Sequence, residues 1–251
     1  MYAAWPRVRR ELTRAGRFAL FSDFDGTLTA IRPRPEMVRC SPRVRDLLER
    51  IAAHGHLVGI ISGRALEDVR RCVGVRGIWY AGTHGHYLCS PRGERIVQVS
   101  AKVQDRVRFA EREVRRRLER VKAVRIENKG AAVAVHVRGA SKSDIAQAER
   151  AVQAAARGLP QLEILRGKKI LELVPSGGAD KWHAVRTILH REKAQGIPVF
   201  YLGDDTTDET VFRTLGGFSV AVGKRRQTAA KFFLRSPAEV RKFLALMSKV
   251  Q

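Results

Sequence analysis

Asp23 and Asp25 stand two residues apart in the stretch LFSDFDGTLTA, in a chain of net charge +23. They follow an apolar run over 18–21 that reads as a short buried strand, and Gly26 breaks the run just after them. Carboxylates this close repel unless a cation, a proton or a shared task holds them. Alone, the Asp-Gly-Thr tripeptide also reads as a turn capping the next helix. Three further stretches sit at comparable places: Ser62-Gly63-Arg64 after HLVGII, Lys181 after PSGGAD, and GDDTTDE (203–209) after PVFYL. Singly, these read as helix caps, a surface lysine and an acidic turn.

Together they suit phosphoryl transfer. A carboxylate such as Asp23 can attack phosphorus and form an aspartyl-phosphate, which splits one hard step into two. A carboxylate two residues on, Asp25, can protonate the leaving oxygen and then activate water. An anion approaching a phosphate dianion needs a cation between them, and Mg²⁺ takes oxygen ligands, which Asp204, Asp205 and Asp208 can add. The Ser62 hydroxyl, the Gly63 N–H and the Lys181 ammonium suit the other phosphoryl oxygens.

Elements must bring these residues together. Hydrophobic patterning predicts strands over 18–21, 56–61, 77–81, 199–202 and 218–222, and helices over 43–54, 66–73, 179–191 and 209–215. Ser41-Pro42 starts the first of these helices, with proline at its first position. Short apolar strands alternating with helices imply parallel βαβ units, whose ligands lie at the strands' carboxyl ends. The middle reads differently. A helix over 103–121 precedes AVRIENKGAAVAVHVRG, where Val133, Val135 and Val137 alternate with Ala134, His136 and Arg138. A second helix over 143–157, capped by Ser141 or Ser143, precedes two strands joined at Arg166-Gly167-Lys168. The fold class expected is α/β: a parallel-sheet core with helices on both faces, in 1–103 and 176–251, plus an inserted α+β module of helix-strand-strand repeated, in 104–175.

The balance of 48 basic against 25 acidic residues belongs to nucleic-acid binders or to proteins with anionic substrates. The basic residues come in pieces: RVRRELTRAGR, REVRRRLER and KRRQTAAKFFLRSPAEVRKF. Among them apolar residues recur at helical spacing, as in Val103, Val107, Ala110, Val114, Leu118 and Val121, so the pieces read as solvated faces of amphipathic helices. No zinc-finger spacing or aromatic-bearing motif accompanies them. Weak nonspecific binding to polyanions at low salt is expected, a specific nucleic-acid partner is not, and a monomer is favoured. The first twenty residues lack a signal peptide's continuous apolar region, and no stretch is long and apolar enough to cross a membrane. Three cysteines, Cys40, Cys72 and Cys89, with no C-x-x-C pair, fit a reduced cytoplasmic compartment.

DFDGTLT, the serine after the second strand, the lysine and GDDTTDE, in this order, resemble the four motifs of the haloacid dehalogenase-like phosphatase superfamily, whose core is Rossmann-like. SGR, AGTHGHY at 81–87, ENK at 127–129, HVR at 136–138 and LELVPSGGADK at 171–181 are similar to trehalose-6-phosphate phosphatases. The resemblance implies a cap over the inserted module and hydrolysis of a small sugar phosphate, trehalose 6-phosphate. A glucosyl- or mannosyl-glycerate phosphate, or a non-catalytic polyanion-binding module on a phosphatase core, are the rival readings. It implies Asp23 as nucleophile and Asp25 as acid/base; Asp23, the Asp25 carbonyl and Asp204 as Mg²⁺ ligands, with Asp208 orienting that site; and Glu127, Lys129 and Glu172 as the cap's sugar-binding set. Gly63, Arg64, His84 and Arg138 join the substrate-binding positions. The chain departs from the family pattern at Thr83 and at His86-Tyr87, where Asn and Glu are common, and at Trp182, where Gly is. His54/His56 and His84/His86 have a spacing that zinc sites use, but the oxygen-rich motifs favour a hard cation, and His84 is expected to line the cleft.

Overall fold

The computed structural model describes residues 1–32, 37–97, 99–167, 169–223 and 227–250. The chain divides into two compact units, Met1–Ile96 with Asp180–Gln251, and Val97–Ala179.

In the first unit an eight-stranded sheet is built on β1 (Ala19–Ser22), whose four residues are all buried. On one side β1 pairs in parallel with β2 (Leu57–Ile61), which pairs with β3 (Trp79–Gly82). On the other side it pairs in parallel with β10 (Val199–Gly203), followed by β11 (Phe218–Val222) and β12 (Phe232–Leu234). The edge beyond β3 is completed by β4 (Tyr87–Cys89), antiparallel to it, and β5 (Arg95–Val97). The chain therefore leaves β1 toward one half of the sheet and returns through the other. The carboxyl ends of β1 and β10 form a topological switch point, where open α/β sheets place ligands.

Helices cover both faces because both faces are apolar. Leu20, Val58, Ile60, Phe200, Leu202 and Val220 pack beneath α1 (Trp5–Ala15), α2 (Pro42–Ala53), α3 (Leu66–Val73) and α8 (Pro237–Met247). Ala19, Phe21, Leu57, Ile61 and Tyr201 pack against α6 (Lys181–Arg191) and α7 (Glu209–Thr214). The Ser41 hydroxyl caps α2 by accepting from Val44 N at 3.4 Å, with Pro42 at its first position.

One expectation from the sequence changes here. The third basic stretch reads as an amphipathic helix, yet its described part, from 227 on, contains β12 before α8 begins. Phe232, on the sheet's last strand, packs half-buried against the core, while Phe233 is exposed. His54 and His56, at a spacing that zinc sites use, share a backbone neighbour. Nδ1 of His54 and Nε2 of His56 lie 3.3 and 3.2 Å from the same Val250 carbonyl, and the His56 ring stacks on Phe18 at 3.8 Å. Burial holds the His56 imidazole below its ordinary range.

The second unit is a four-stranded antiparallel sheet in the order β6-β7-β9-β8, with two helices on one face. In chain order these are α4 (Ala101–Arg117), β6 (Arg125–Asn128), β7 (Val133–His136), α5 (Lys142–Arg157), β8 (Leu162–Gly167) and β9 (Ile170–Pro175). Val133, Val135, Leu171 and Leu173 meet Val107, Ala110, Val114, Ala148 and Val152 in its core. α4 stops at Arg117, short of the expected 121, while Leu118 and Val121 remain in the core from the following turn. Ser141 caps α5 in a reciprocal capping box with Asp144. Lys168, expected in the β8–β9 hairpin, and Lys224, Arg225 and Arg226 of the third basic stretch lie outside the described residues. No helix among the described residues is long and apolar enough to cross a membrane.

Candidate active site

Strand periodicity delivers the first carboxylate. Ala19 and Phe21 face the α6–α7 side, and Asp23 continues that phase one step past β1, its N–H donating to the Leu202 carbonyl at 2.8 Å. On β10 the same phase puts Tyr201 on that side. α6 begins beneath them, capped by Asp180, whose Oδ1 accepts from His183 N at 2.7 Å. Lys181, its first residue, thus enters the cluster. Its Nζ donates to Asp23 Oδ1 at 2.8 Å and to Asp208 Oδ1 at 2.7 Å. The Tyr201 hydroxyl also donates to Asp208 Oδ1 at 2.7 Å, and Asp205 N donates to Asp208 Oδ2 at 2.8 Å. Side-chain exposure is 3% for Lys181 and 0% for Asp208, so these bonds work in a desolvated setting.

Two glycines make room for this cluster. A Cβ on Gly26 would run into the Asp204 carboxylate and one on Gly203 into that of Asp208; Gly26 also has φ +84°. Carboxylate oxygens of Asp23, Asp204 and Asp208 consequently lie within 4.8 Å of one another. Asp205 does not join them. Its side chain turns back to accept from Thr206 N at 2.8 Å, capping the short turn that carries Asp208.

Burial pushes the Asp23 carboxyl well above the usual range, and the Lys181 ammonium beside it opposes that shift without cancelling it. For Lys181, burial favours the neutral amine, but Asp208 and Asp23 outweigh it and raise its pKa, so it stays charged. Burial, then Asp208 and Asp23, raise the Tyr201 phenol, which remains a donor. Crowded oxygen donors, one of them carrying a desolvation penalty as an anion, fit a hard divalent cation.

Asp25 lies beside this cluster in the sequence but has a different partner. Both its oxygens accept from Arg64, from Nε at 2.6 Å and from Nη2 at 2.8 Å. Ser62 is buried at the end of β2, its Oγ accepting from Arg64 N at 3.2 Å, so it is not a helix cap. Gly63 carries no side chain because the His84 ring occupies that space, 2.5 Å from where a Cβ would sit. Thr83 and His84 both take positive φ, held by Thr83 N to the Arg64 carbonyl (2.7 Å) and His84 N to the Ser62 carbonyl (3.0 Å). Positive φ suits Asn better than a β-branched Thr, so nothing in this turn explains the departure at Thr83. His86 is buried, with Nδ1 2.7 Å from the Thr83 carbonyl, and burial lowers its pKa.

In the second unit, Glu127 on β6 lies opposite Ala134 on β7, which lies opposite Glu172 on β9. Directly opposed residues share a face, here the one away from α4 and α5. Lys129 Nζ donates to Glu172 Oε1 at 2.6 Å, both side chains buried. Glu127 Oε2 lies 2.8 Å from His136 Nε2, and this contact is the main reason its carboxyl falls below the usual range. Arg138 is exposed just past β7.

Tyr201, beside Asp208 in the first unit, and His136, beside Glu127 in the second, are not singled out by the sequence. Tyr201 looks like an ordinary core aromatic in PVFYL, and only its strand phase relative to Phe21 and Asp23 marks it. His136 was visible in the polar phase of VHVR, two positions from the residue facing Glu127.

The trehalose-phosphatase family model matches residues 21–238. A trehalose-phosphate phosphatase of Mycobacterium tuberculosis is 36% identical over 236 residues, covering 90% of this chain and 60% of that protein. The chain thus spans 60% of the length of that relative. Among solved structures, the C-terminal domain of C. albicans trehalose-6-phosphate phosphatase superposes with a TM-score of 0.85 at 22% identity, over 98% of this chain and 97% of that one. The C-terminal domain of the Candida albicans trehalose synthase regulatory protein shares the fold with a TM-score of 0.68 at 14% identity, over 93% of each chain. That fold is therefore also found in a protein named as regulatory, and chemistry has to be argued from side chains. With the family model covering most of the sequence and the aspartate cluster at the switch point of the sheet, this chain belongs to the trehalose-phosphatase family of haloacid dehalogenase-like proteins.

Proposed function

We propose that this protein is a Mg²⁺-dependent phosphomonoesterase that hydrolyses trehalose 6-phosphate to trehalose and phosphate. The observation that carries the reading is the buried group of Asp23, Asp204 and Asp208 with Lys181 bonded between two of them. Asp23, the Asp25 carbonyl and Asp204 would hold the cation, with Asp208 orienting the site; bound there, it supplies charge neutralisation for an anion approaching a phosphate.

The protein's own groups then divide the work. An Asp23 oxygen attacks phosphorus; the bond from phosphorus to the sugar oxygen breaks, and that oxygen keeps the electron pair and takes a proton from Asp25. Water next attacks the aspartyl-phosphate, giving its proton to the Asp25 carboxylate, and the bond to Asp23 breaks with the pair returning to Asp23. Net, a sugar phosphate and water become a sugar and hydrogen phosphate, and both aspartates end as they began. Lys181, the Ser62 hydroxyl and the Gly63 N–H donate to the phosphoryl oxygens as charge develops on them. We infer that Glu127, Lys129 and Glu172 recognise the sugar, since carboxylates accept from hydroxyls and an ammonium donates to them; Arg138 and His84 are placed with the substrate on family resemblance. Arg64, expected among the substrate-binding positions, has its fork taken up by Asp25 and Asp68.

A phosphate-release assay across sugar phosphates, with and without Mg²⁺, tests the reading. Trehalose 6-phosphate should be the preferred substrate, chelation should stop turnover, Mg²⁺ should restore it, and Ca²⁺, with its longer and looser coordination, should support it poorly. Full activity in excess chelator, or preference for a glycerate-linked sugar phosphate, would contradict it. In the same assay, alanine at Glu127, Lys129 or Glu172 should lower kcat/KM for trehalose 6-phosphate roughly ten-fold or more, from the lost charge-assisted hydrogen bonds. A small aryl phosphate should be hydrolysed about as before. Equal losses on both substrates would remove these residues from sugar recognition.

A further inference from the structure

Arg64 is committed on every nitrogen of its guanidinium. Nε and Nη2 hold the two Asp25 oxygens, and Nη1 donates to Asp68 Oδ2 at 2.7 Å, with Cys72 Sγ at 3.7 Å. Its Cζ lies 5.5 Å from the centroid of the Phe24 ring, and its side chain is only 10% exposed. Its backbone is fixed as well, by Ser62 Oγ and Thr83 N. A fork used in this way has no bidentate face left for a phosphate.

Asp25 is the counterpart. Its backbone is set by the turn after β1, in which Gly26 N donates to the Thr29 carbonyl at 2.7 Å and Asp25 bridges Thr29. Its side chain is 34% exposed, so packing alone does not fix its direction. Two parallel N–H···O bonds do.

We propose that Arg64 is the positioning residue for Asp25 and not a ligand of the substrate's phosphate. Asp68 and the Phe24 ring brace Arg64 from behind, and its fork aims the Asp25 carboxylate. While one Asp25 oxygen carries the proton, the other still accepts from Arg64, so the aim survives both half-reactions. This rests on the reading of Asp25 as acid and base. The consequence depends on the leaving group. A sugar oxygen needs the proton to depart, whereas an aryl oxide leaves readily without it; water attack on the aspartyl-phosphate needs Asp25 for both substrates.

Stopped-flow mixing of the Mg²⁺-supplied protein with 4-nitrophenyl phosphate separates these steps. Arg64→Lys, which keeps charge but loses the fork, and Arg64→Gln should each give a burst of nitrophenolate above the parent's, approaching one per site. A steady rate reduced roughly ten-fold or more should follow, as expected when dephosphorylation is slowed. With trehalose 6-phosphate the same variants should lose kcat without a burst and with little change in KM. A raised KM on both substrates with no burst would make Arg64 a phosphate ligand; an equal loss of kcat on both with no burst would make it merely structural. Either result overturns the proposal. Asp25→Asn is the control: a burst there but none at Arg64 overturns this proposal alone, and no burst there overturns the acid/base reading with it. If the Arg64 variants fail to fold, Asp68→Asn, which loosens the brace, should give a smaller burst, and its absence counts against the proposal.

Discussion

Asp23→Asn is expected to lower turnover by roughly 10⁴-fold or more on every phosphomonoester, sugar or aryl. The amide keeps the shape of the carboxylate and can still accept from Lys181, but it has no charge with which to attack phosphorus. The same substitution should leave the fold intact. Burial raises the Asp23 pKa despite Lys181, so the folded protein disfavours this anion, and a neutral isostere removes that penalty. In metal-free buffer the variant should therefore unfold at or above the parent's midpoint while still binding substrate. Residual turnover within a factor of ten of the parent's would exclude Asp23 as nucleophile.

Lys181→Met is expected to damage both stability and chemistry. Lys181 is buried between Asp23 and Asp208, and its removal strands two carboxylates that have little access to water. Breaking a buried pair from one side typically costs about 3–5 kcal/mol. Asp208 retains Tyr201 and Asp205 N as donors, which should keep the loss near the lower figure. Loss of one charged donor to the transferring phosphoryl should lower kcat about 10²–10³-fold. Denaturant titration and phosphate release read the two effects separately. A variant as stable as the parent would mean that the ammonium does not balance this cluster.

Much of this fold is legible in the sequence because the central strands of the larger sheet are apolar on both faces and most helices carry explicit start signals. The helix over 66–73 and the strand over 218–222 fall where patterning places them, and Pro42, Ser141 and Asp180 act at helix starts as their residue types suggest. α8 carries the same kind of signal in Ser236-Pro237, but the basic residues around it were read as one helical face, which hid β12. The site was legible as residue types rather than as pairings. Asp23 and Lys181 are 158 residues apart, and only the order of strands around β1 brings them together. The Asp25–Arg64 fork spans 39 residues and depends on the turn after β1 meeting the end of β2, which no local pattern encodes. Asp205 shows the opposite limit, since composition cannot tell which of two adjacent aspartates turns inward and which caps its own loop.

The central claim is that Asp23 carries the phosphoryl group during turnover. Asp25→Asn, which retains the nucleophile but lacks the base for the second step, can be mixed with 4-nitrophenyl phosphate and Mg²⁺, then quenched in acid. After proteolysis, the peptide spanning residues 23–27 can be weighed and fragmented. One added phosphoryl group is expected on Asp23, present in Asp25→Asn and absent when Asp23→Asn is combined with it. An unmodified peptide from protein that has released nitrophenol, or a phosphoryl group on another side chain, would contradict it.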